Sequence, residues 1–285
     1  MTTITDKSIK TVAQVAQITP ENYSFLQERI YSDSGIVLDE TKLYLLQSRL
    51  LPIARKEKLE TLNELCARLR APSATVLRRQ VVEAMTTNET LFFRDTAVFD
   101  TLKDKVLPAL VEARRPARTL SIWSAAASSG QEAYSLAILL LEMGLAGWTL
   151  RILGTDLNSK ILDQARAGRY IQLEVSRGLP AKYLVKYFQR AGLEWQVKDE
   201  VRRMVEFQTF DLRQNMRSLG SFDLTLCRNV LIYFDVKTKK QILGEIRDVL
   251  NPKGLLLLGS AETTINLDDR FLRRAIGSSI FYEKL

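Results

Sequence analysis

The chain has no histidine at all and only two cysteines, Cys66 and Cys227, far apart in sequence. Without histidine there is no Ser-His-Asp or Cys-His nucleophilic scheme, and the commonest zinc ligand is missing. Two distant cysteines build neither a disulfide framework nor a cysteine-based metal site. No window approaches the run of about 18 apolar residues that spans a bilayer, so no membrane insertion is expected. The first ten residues, MTTITDKSIK, lack the apolar core of a secretory leader, and a cytoplasmic location is the expectation. There is no block of five basic residues and no aromatic-basic RNA-binding motif, which argues against a nucleic-acid partner. Chemistry here must run on carboxylates, arginines, tyrosines, backbone amides or a bound cofactor.

What is present is an ordinary globular composition, with 46% apolar residues and a net charge of +8 over 285 residues. Such a field favours an acidic partner without choosing which. Residues 18 to 80 read as helical. Thr19-Pro20-Glu21 has the form of an N-cap, a proline at the first helical position and a first-turn acid. Asp39 or Thr41 can cap a second helix, where Leu43, Leu46, Leu50 and Ile53 recur at spacings of three and four. Pro52 is expected to end or kink it. Lys42, Arg49 and Lys56, with Arg55 beside them, form a basic stripe if that helix continues; a solvated face is the default reading.

From Thr119 the texture changes to alternating strands and helices, the pattern of a parallel sheet with crossovers. Strands are expected at Leu120–Trp123, Leu150–Gly154, Phe222–Cys227 and Leu255–Gly259, with another at Ser279–Tyr282. Residues 179–211 interrupt the rhythm and read as a small antiparallel insertion.

Three segments carry chemistry. In SIWSAAASSGQEAYS (121–135) a strand runs into small residues and then a helix, leaving open backbone amides at the helix start. Glu132 in the first helical turn is equally well a partner of the helix dipole or a ligand contact. Asp156 ends the second strand, where doubly wound sheets receive ribose hydroxyls, and the absence of G-x-G-x-x-G disfavours a dinucleotide. TTNETLFFRD (86–95) crowds polar groups, two aromatics and Arg94 before the first strand; a capped helix start explains its first half. In CRNVLIYFD (227–235) a buried strand delivers Asn229 to its carboxyl end, with Tyr233 four residues on.

These segments, in this order, resemble the CheR family of chemotaxis receptor methyltransferases, as do Gly259-Ser260-Ala261-Glu262 and GIVLDETKLYLLQSRL (35–50). The likeness covers residues 20–283. It implies a small all-α N-terminal domain (1–85) followed by an α/β, Rossmann-like methyltransferase domain (86–285) with a doubly wound sheet and a small antiparallel β insertion. It implies S-adenosylmethionine as cofactor, S-adenosylhomocysteine as product, and no metal. By the same resemblance Asn88, Thr90, Arg94, Glu132, Asp156, Asn229 and Val230 contact the cofactor. Asp211 and Leu212 stand where the family has Asn-Leu near adenine, and the Asp is a departure. Ala133 replaces a usual proline. Arg94 and Tyr233 lie near the transferring methyl group.

The implied reaction is esterification of glutamate side chains on the cytoplasmic helical domain of chemoreceptors, for adaptation. Lys42, Arg49 and Arg55 then acquire an acidic helical partner to dock. Family members that bind a receptor's C-terminal pentapeptide have a longer glycine-rich loop in the insertion, so recognition here is expected to be pentapeptide-independent. The alternatives are a methyltransferase for RNA or a small molecule, a silent cofactor-binding sensor, and, more distantly, an NAD-dependent oxidoreductase.

Overall fold

A computed structural model describes residues 18–285, so the amino-terminal segment inspected for a leader lies outside them. Two compact units are present, one ending at Thr87 and one running from Asn88 to Leu285.

The first unit is a group of helices: α1 (Pro20–Ser34), α2 (Leu43–Lys56), α3 (Leu62–Leu69) and α4 (Thr75–Met85). Thr19 Oγ1 accepts from Asn22 N–H, and Gly35 closes α1 at φ 75° with its N–H on Tyr31 O. At this C-cap the left-handed backbone favours glycine. Thr61 caps α3 through Glu64 N–H while Glu64 reaches back to Glu60 N–H at 2.8 Å. Leu26, Ile30, Leu46, Leu50, Leu65, Leu69 and Val81 form the shared core.

Of the two outcomes expected at Pro52, an end or a kink, the end does not occur: α2 continues to Lys56. A proline inside a helix frees the carbonyl four residues back. Here that residue is Ser48, exposed like Pro52 itself, so water can satisfy the carbonyl and burial of Leu46, Leu50 and Ala54 decides the outcome.

The second unit opens with α5 (Thr96–Thr101), which passes through a π-turn at Leu102–Val106 into α6 (Leu107–Arg114). The sheet elements follow: β1 (Thr119–Ala125), α7 (Gln131–Glu142), β2 (Thr149–Asp156) and α8 (Ser159–Ala167). A subdomain comes next, made of β3 (Arg169–Ile171), α9 (Gln172–Ser176), α10 (Ala181–Tyr187), β4 (Phe188–Ala191), β5 (Glu194–Val197) and the short α11 (Asp199–Arg202). The chain ends with β6 (Val205–Thr209), β7 (Phe222–Cys227), α12 (Val236–Val249), β8 (Leu250–Leu258), β9 (Phe271–Ile276) and β10 (Ser279–Lys284).

Seven strands pair in the order β6-β2-β1-β7-β8-β10-β9. The first five are mutually parallel, and β10 is antiparallel to both its neighbours. Both faces of the sheet's centre are covered, which is why β7 is buried at every position, while the edge strands β6 and β9 stay largely exposed. Along β1, Leu120 and Ile122 enter one core while Trp123 and Ala125 enter the other. This is the period-two alternation of a strand expressed as two apolar layers.

Three further strands form a separate antiparallel sheet, ordered β3-β5-β4. The insertion thus begins earlier than residue 179, at Arg169, and gives up its last strand. Of the alternating stretch Val201–Phe207, Val201 and Arg202 lie in α11 and Val205–Phe207 in β6, which pairs parallel to β2, with Gly154 opposite Phe207. A Cβ on Gly154 would lie 2.6 Å from the Phe207 ring, so the pair is fitted ring to backbone. Alternation alone does not separate a parallel edge strand from a hairpin strand. Among the described residues no helix is long and apolar enough to cross a membrane.

Candidate active site

Sheet order reverses between β1 and β7, and there the carboxyl ends of parallel strands open a crevice. Four segments of the second unit meet at this edge. The first is the loop after β1, where Ala126, Ser128 and Gly130 all have positive φ (62°, 52° and 93°). A side chain at Gly130 would be strained by its left-handed φ and crowded, since a Cβ would lie 3.0 Å from both Ala165 and Phe207. Ala127 N–H donates to Thr155 O at 2.7 Å, and Tyr170 OH to Ser129 O at 2.6 Å.

Asp156, ending β2, is buried and ties this loop down. Its Oδ2 accepts from Ser128 N–H and its Oδ1 from Asn158 N–H, each at 2.9 Å. Burial pushes the carboxyl above the usual aspartate range, against the downward pull of those amides. The expected ribose acid is thus also a brace between two strand ends.

Glu132 is almost buried at the start of α7. Ser124 Oγ donates to its Oε1 at 2.7 Å and Arg228 Nη1 to its Oε2 at 3.0 Å. A dipole role alone does not explain this pairing.

The linker 88–95 comes third, and no helix starts within it: the chain turns at 92–95 and α5 begins at Thr96. Phe93 and Asp95 have φ of 50° and 64°, unfavourable for bulky side chains. Packing imposes this. The Phe92 ring stands edge-on to Tyr170 (4.9 Å) and Phe188 (5.4 Å), and Phe93 N–H donates to Ser135 Oγ at 3.0 Å. Gly178 lies so close that a Cβ there would fall 2.1 Å from the Phe92 carbonyl oxygen. Ser128 Oγ donates to Asn88 O at 2.8 Å, and Arg94 Nη1 to Glu89 O at 3.1 Å.

The fourth is the end of β7. Arg228 has a side chain 3% exposed, and it bonds Glu132, the Arg94 carbonyl (3.2 Å) and the Asp95 carboxylate. Asn229 follows at φ 58°, then Val230 and a turn through Tyr233, which is half-buried. Asn88, Arg94, Glu132, Asp156, Asn229, Val230 and Tyr233 therefore share one unit and one sheet edge, and Thr90 lies in the same linker as Asn88 and Arg94. Asp211 and Leu212 join them through Phe210 N–H on Asp156 O at 2.9 Å. The departing Asp211 carboxylate is gripped by Arg213, with Nη2 at 2.7 Å.

Arg228 was legible in sequence as part of its motif but not as the link between segments. Its partners lie 96 and 134 residues away.

The basic stripe belongs to the other unit and is not a uniform face. Arg49 Nη1 donates to Met85 O at 2.7 Å and Thr86 O at 2.9 Å, and Nη2 to Thr87 Oγ1 at 3.0 Å. Its guanidinium caps the carboxyl end of α4. Lys42 Nζ lies 3.3 Å from Asp39, while Arg55 is exposed.

The Glu132 carboxylate beside β1, the Asp156 carboxylate at the end of β2 and the small loop residues suit a ligand with cationic centres and hydroxyls, not a polyphosphate. Among the described residues no group of acids and cysteines has metal-site geometry.

Comparison with known proteins agrees with this chemistry. Residues 88–278 match the family model "CheR methyltransferase, SAM binding domain", and residues 21–86 match "CheR methyltransferase, all-alpha domain". The chain is 41% identical over 270 residues to "Chemotaxis protein methyltransferase Cher2" of Pseudomonas putida, covering 92% of this chain and 98% of that one. It is 43% identical over 254 residues to "Chemotaxis protein methyltransferase 1" of Pseudomonas aeruginosa, covering 87% and 92%. A Vibrio parahaemolyticus chemotaxis protein methyltransferase is 40% identical over 272 residues, covering 93% and 98%.

Arg228→Met should cost about 3 kcal/mol in urea unfolding, because it strands the nearly buried Glu132 charge. Losing the Asp95 partner adds little, since that carboxylate is half exposed. A cost near zero would show that the ion pair merely offsets its own desolvation.

Proposed function

The chain belongs to the CheR family of S-adenosylmethionine-dependent methyltransferases, and from that premise we propose that it esterifies glutamate side chains on the cytoplasmic helices of chemoreceptors. The observation that carries this reading is a site equipped for alignment and without a histidine base. A glutamate carboxylate, with a pKa near 4.3, is ionised at neutral pH and has no proton to lose. When bound, S-adenosylmethionine supplies an electrophilic methyl carbon on a sulfonium sulfur.

Glu132 and Asp156 are the acids for its cationic and ribose groups. Asn88, Thr90, Asn229, Val230 and the Asp211-Leu212 pair complete the contacts. Arg94 orients the acceptor carboxylate, and Tyr233 walls the space beside it. Alignment of this kind supplies much of the rate in reactions between held partners. An arginine that gripped the carboxylate too tightly would stabilise the ground state and slow the reaction. Arg94 is half-buried and held only at Glu89 O in the bonds above, which leaves guanidinium edges for a transient partner.

Docking on an acidic receptor helix falls to Lys42 and Arg55, with Arg49 acting indirectly by holding the end of α4. For pentapeptide independence, the support is the turn between β4 and β5. It contains just Gly192 and Leu193, with no room for a long glycine-rich loop.

The deciding assay offers methyl-labelled cofactor to chemoreceptor cytoplasmic fragments, with and without a C-terminal pentapeptide, and measures base-labile methanol. Label is expected on both kinds of fragment, and Arg94→Ala should lower the rate by about 100-fold. No label on any fragment would sink the reading. In the same assay Arg55→Glu should raise the acceptor KM and leave affinity for S-adenosylhomocysteine unchanged; equal loss of both would rule out a docking role.

A pH prediction follows from Asp156. Its raised pKa means that the free site holds its proton more tightly than an ordinary aspartate, whereas ribose hydroxyls donating to it favour the ionised form. Binding of S-adenosylhomocysteine should therefore release protons. Affinity should rise as pH climbs from about 4, the ordinary aspartate value, and level off above the raised one. Calorimetry in two buffers of different ionisation enthalpy measures this, and Asp156→Asn should abolish the release. Proton uptake on binding would contradict the assignment.

A further inference from the structure

One side chain outside the cofactor contacts named above controls the shape of the β7 end. β8 ends at Leu258, and Gly259 begins a turn closed by Glu262 N–H on Gly259 O at 2.9 Å. From there the Glu262 side chain crosses to the loop after β7. Its Oε2 accepts from Asn229 N–H at 2.8 Å and from Gly259 N–H at 2.7 Å. Its Oε1 accepts from Val230 at 2.9 Å, Leu231 at 2.7 Å and Ile232 at 3.3 Å. Five backbone N–H groups converge on one carboxylate.

The backbone explains why. Asn229 is left-handed (φ 58°), and Val230 follows at φ −126° and ψ −35°. That sequence of conformations turns consecutive amides to one side and makes an anion-binding nest. Amides facing one way repel each other unless an anion sits among them, so the turn is stable in this form when a carboxylate occupies it. Glu262 is that anion. Gly259 admits it: a Cβ there would lie 2.7 Å from Glu262 Oε2 and 2.9 Å from Asn229 N.

We propose that Glu262 is a positioning residue for methyl transfer. Its carboxylate fixes the turn from Asn229 to Tyr233, and through it the backbone at Asn229 and Val230 and the ring of Tyr233. The proposal rests on the reading that this turn borders the methyl site. A glutamine at 262 keeps the length but presents an NH2 group to some of the same amides. An alanine empties the nest and leaves space for a small anion.

The experiment combines amide hydrogen exchange, calorimetry with S-adenosylhomocysteine and the methyl-transfer assay on wild type, Glu262→Gln and Glu262→Ala. Exchange at Asn229–Ile232 should accelerate at least about 10-fold in both variants, without acceleration in β1 or β7. Affinity for S-adenosylhomocysteine should fall, and transfer at saturating substrates should drop by about 100-fold, the scale of a displacement of about 1 Å. Acetate should restore protection and rate to Glu262→Ala, while chloride at equal ionic strength should not.

Unchanged exchange at these amides would overturn the proposal, as would lost protection with unchanged affinity and rate. General unfolding of both variants without acetate rescue would reduce Glu262 to a structural residue and also overturn it. If wild type itself labels no receptor fragment, the functional reading falls, and Glu262 is judged on exchange and cofactor affinity.

Discussion

The active-site edge depends on one buried guanidinium. Arg228 reaches Glu132 at the start of α7, the carbonyl of Arg94 in the linker, and Asp95 beside it. Two segments that are remote in sequence are thereby fixed to the end of β7. An ionised arginine inside protein is costly unless its bonds are made, so the groups it touches have little freedom to drift. The left-handed backbone of Phe93 and Asp95 is tolerable because aromatic packing and Arg228 hold it from both sides. Strain of this kind persists where the surroundings over-determine it.

The same economy runs through the rest of the edge. Asp156 braces the β1 loop through backbone amides, and Glu262 does so for the β7 loop. Neither interaction specifies the side chains of the residues it grips, so the loops keep their shape while the side chains stay free to contact ligands. The two carboxylates differ in reach. Asp156 accepts the backbone amides of Ser128, Leu157 and Asn158, whereas Glu262 is saturated by five amides and has little left to offer a ligand. Their chemistry is alike; bond counting leaves Asp156 more capacity than Glu262 for a further donor.

Much of this organisation is legible in the sequence. The parallel α/β texture, the small-residue loop after β1, Asp156 and Asn229 at strand ends, and the helical N-terminal unit all follow from local pattern. What local pattern misses is pairing at a distance. Val205–Thr209 alternates like a hairpin strand, yet its partner is β2, some fifty residues earlier, chosen because Phe207 seats against Gly154. Pro52 signals a break, but the unmade hydrogen bond falls on the wet face of α2 and burial on the other face prevails. Arg49 reads as part of a solvated stripe until the end of α4 comes within its reach. Glu262 sits in a recognisable motif, but its role needs a backbone conformation 33 residues away.

These misses have a common cause, and it bears on how the site works. Each involves a polar side chain or a turn satisfied by main-chain groups of another segment, which no periodicity encodes. A chain without histidine cannot rely on a titrating base to tolerate imprecise geometry, since its reaction asks for alignment and little else. Alignment is a backbone property before it is a side-chain one. It follows that the residues most critical to rate include some that touch neither partner, and that they lie where charged side chains meet open amides at strand ends.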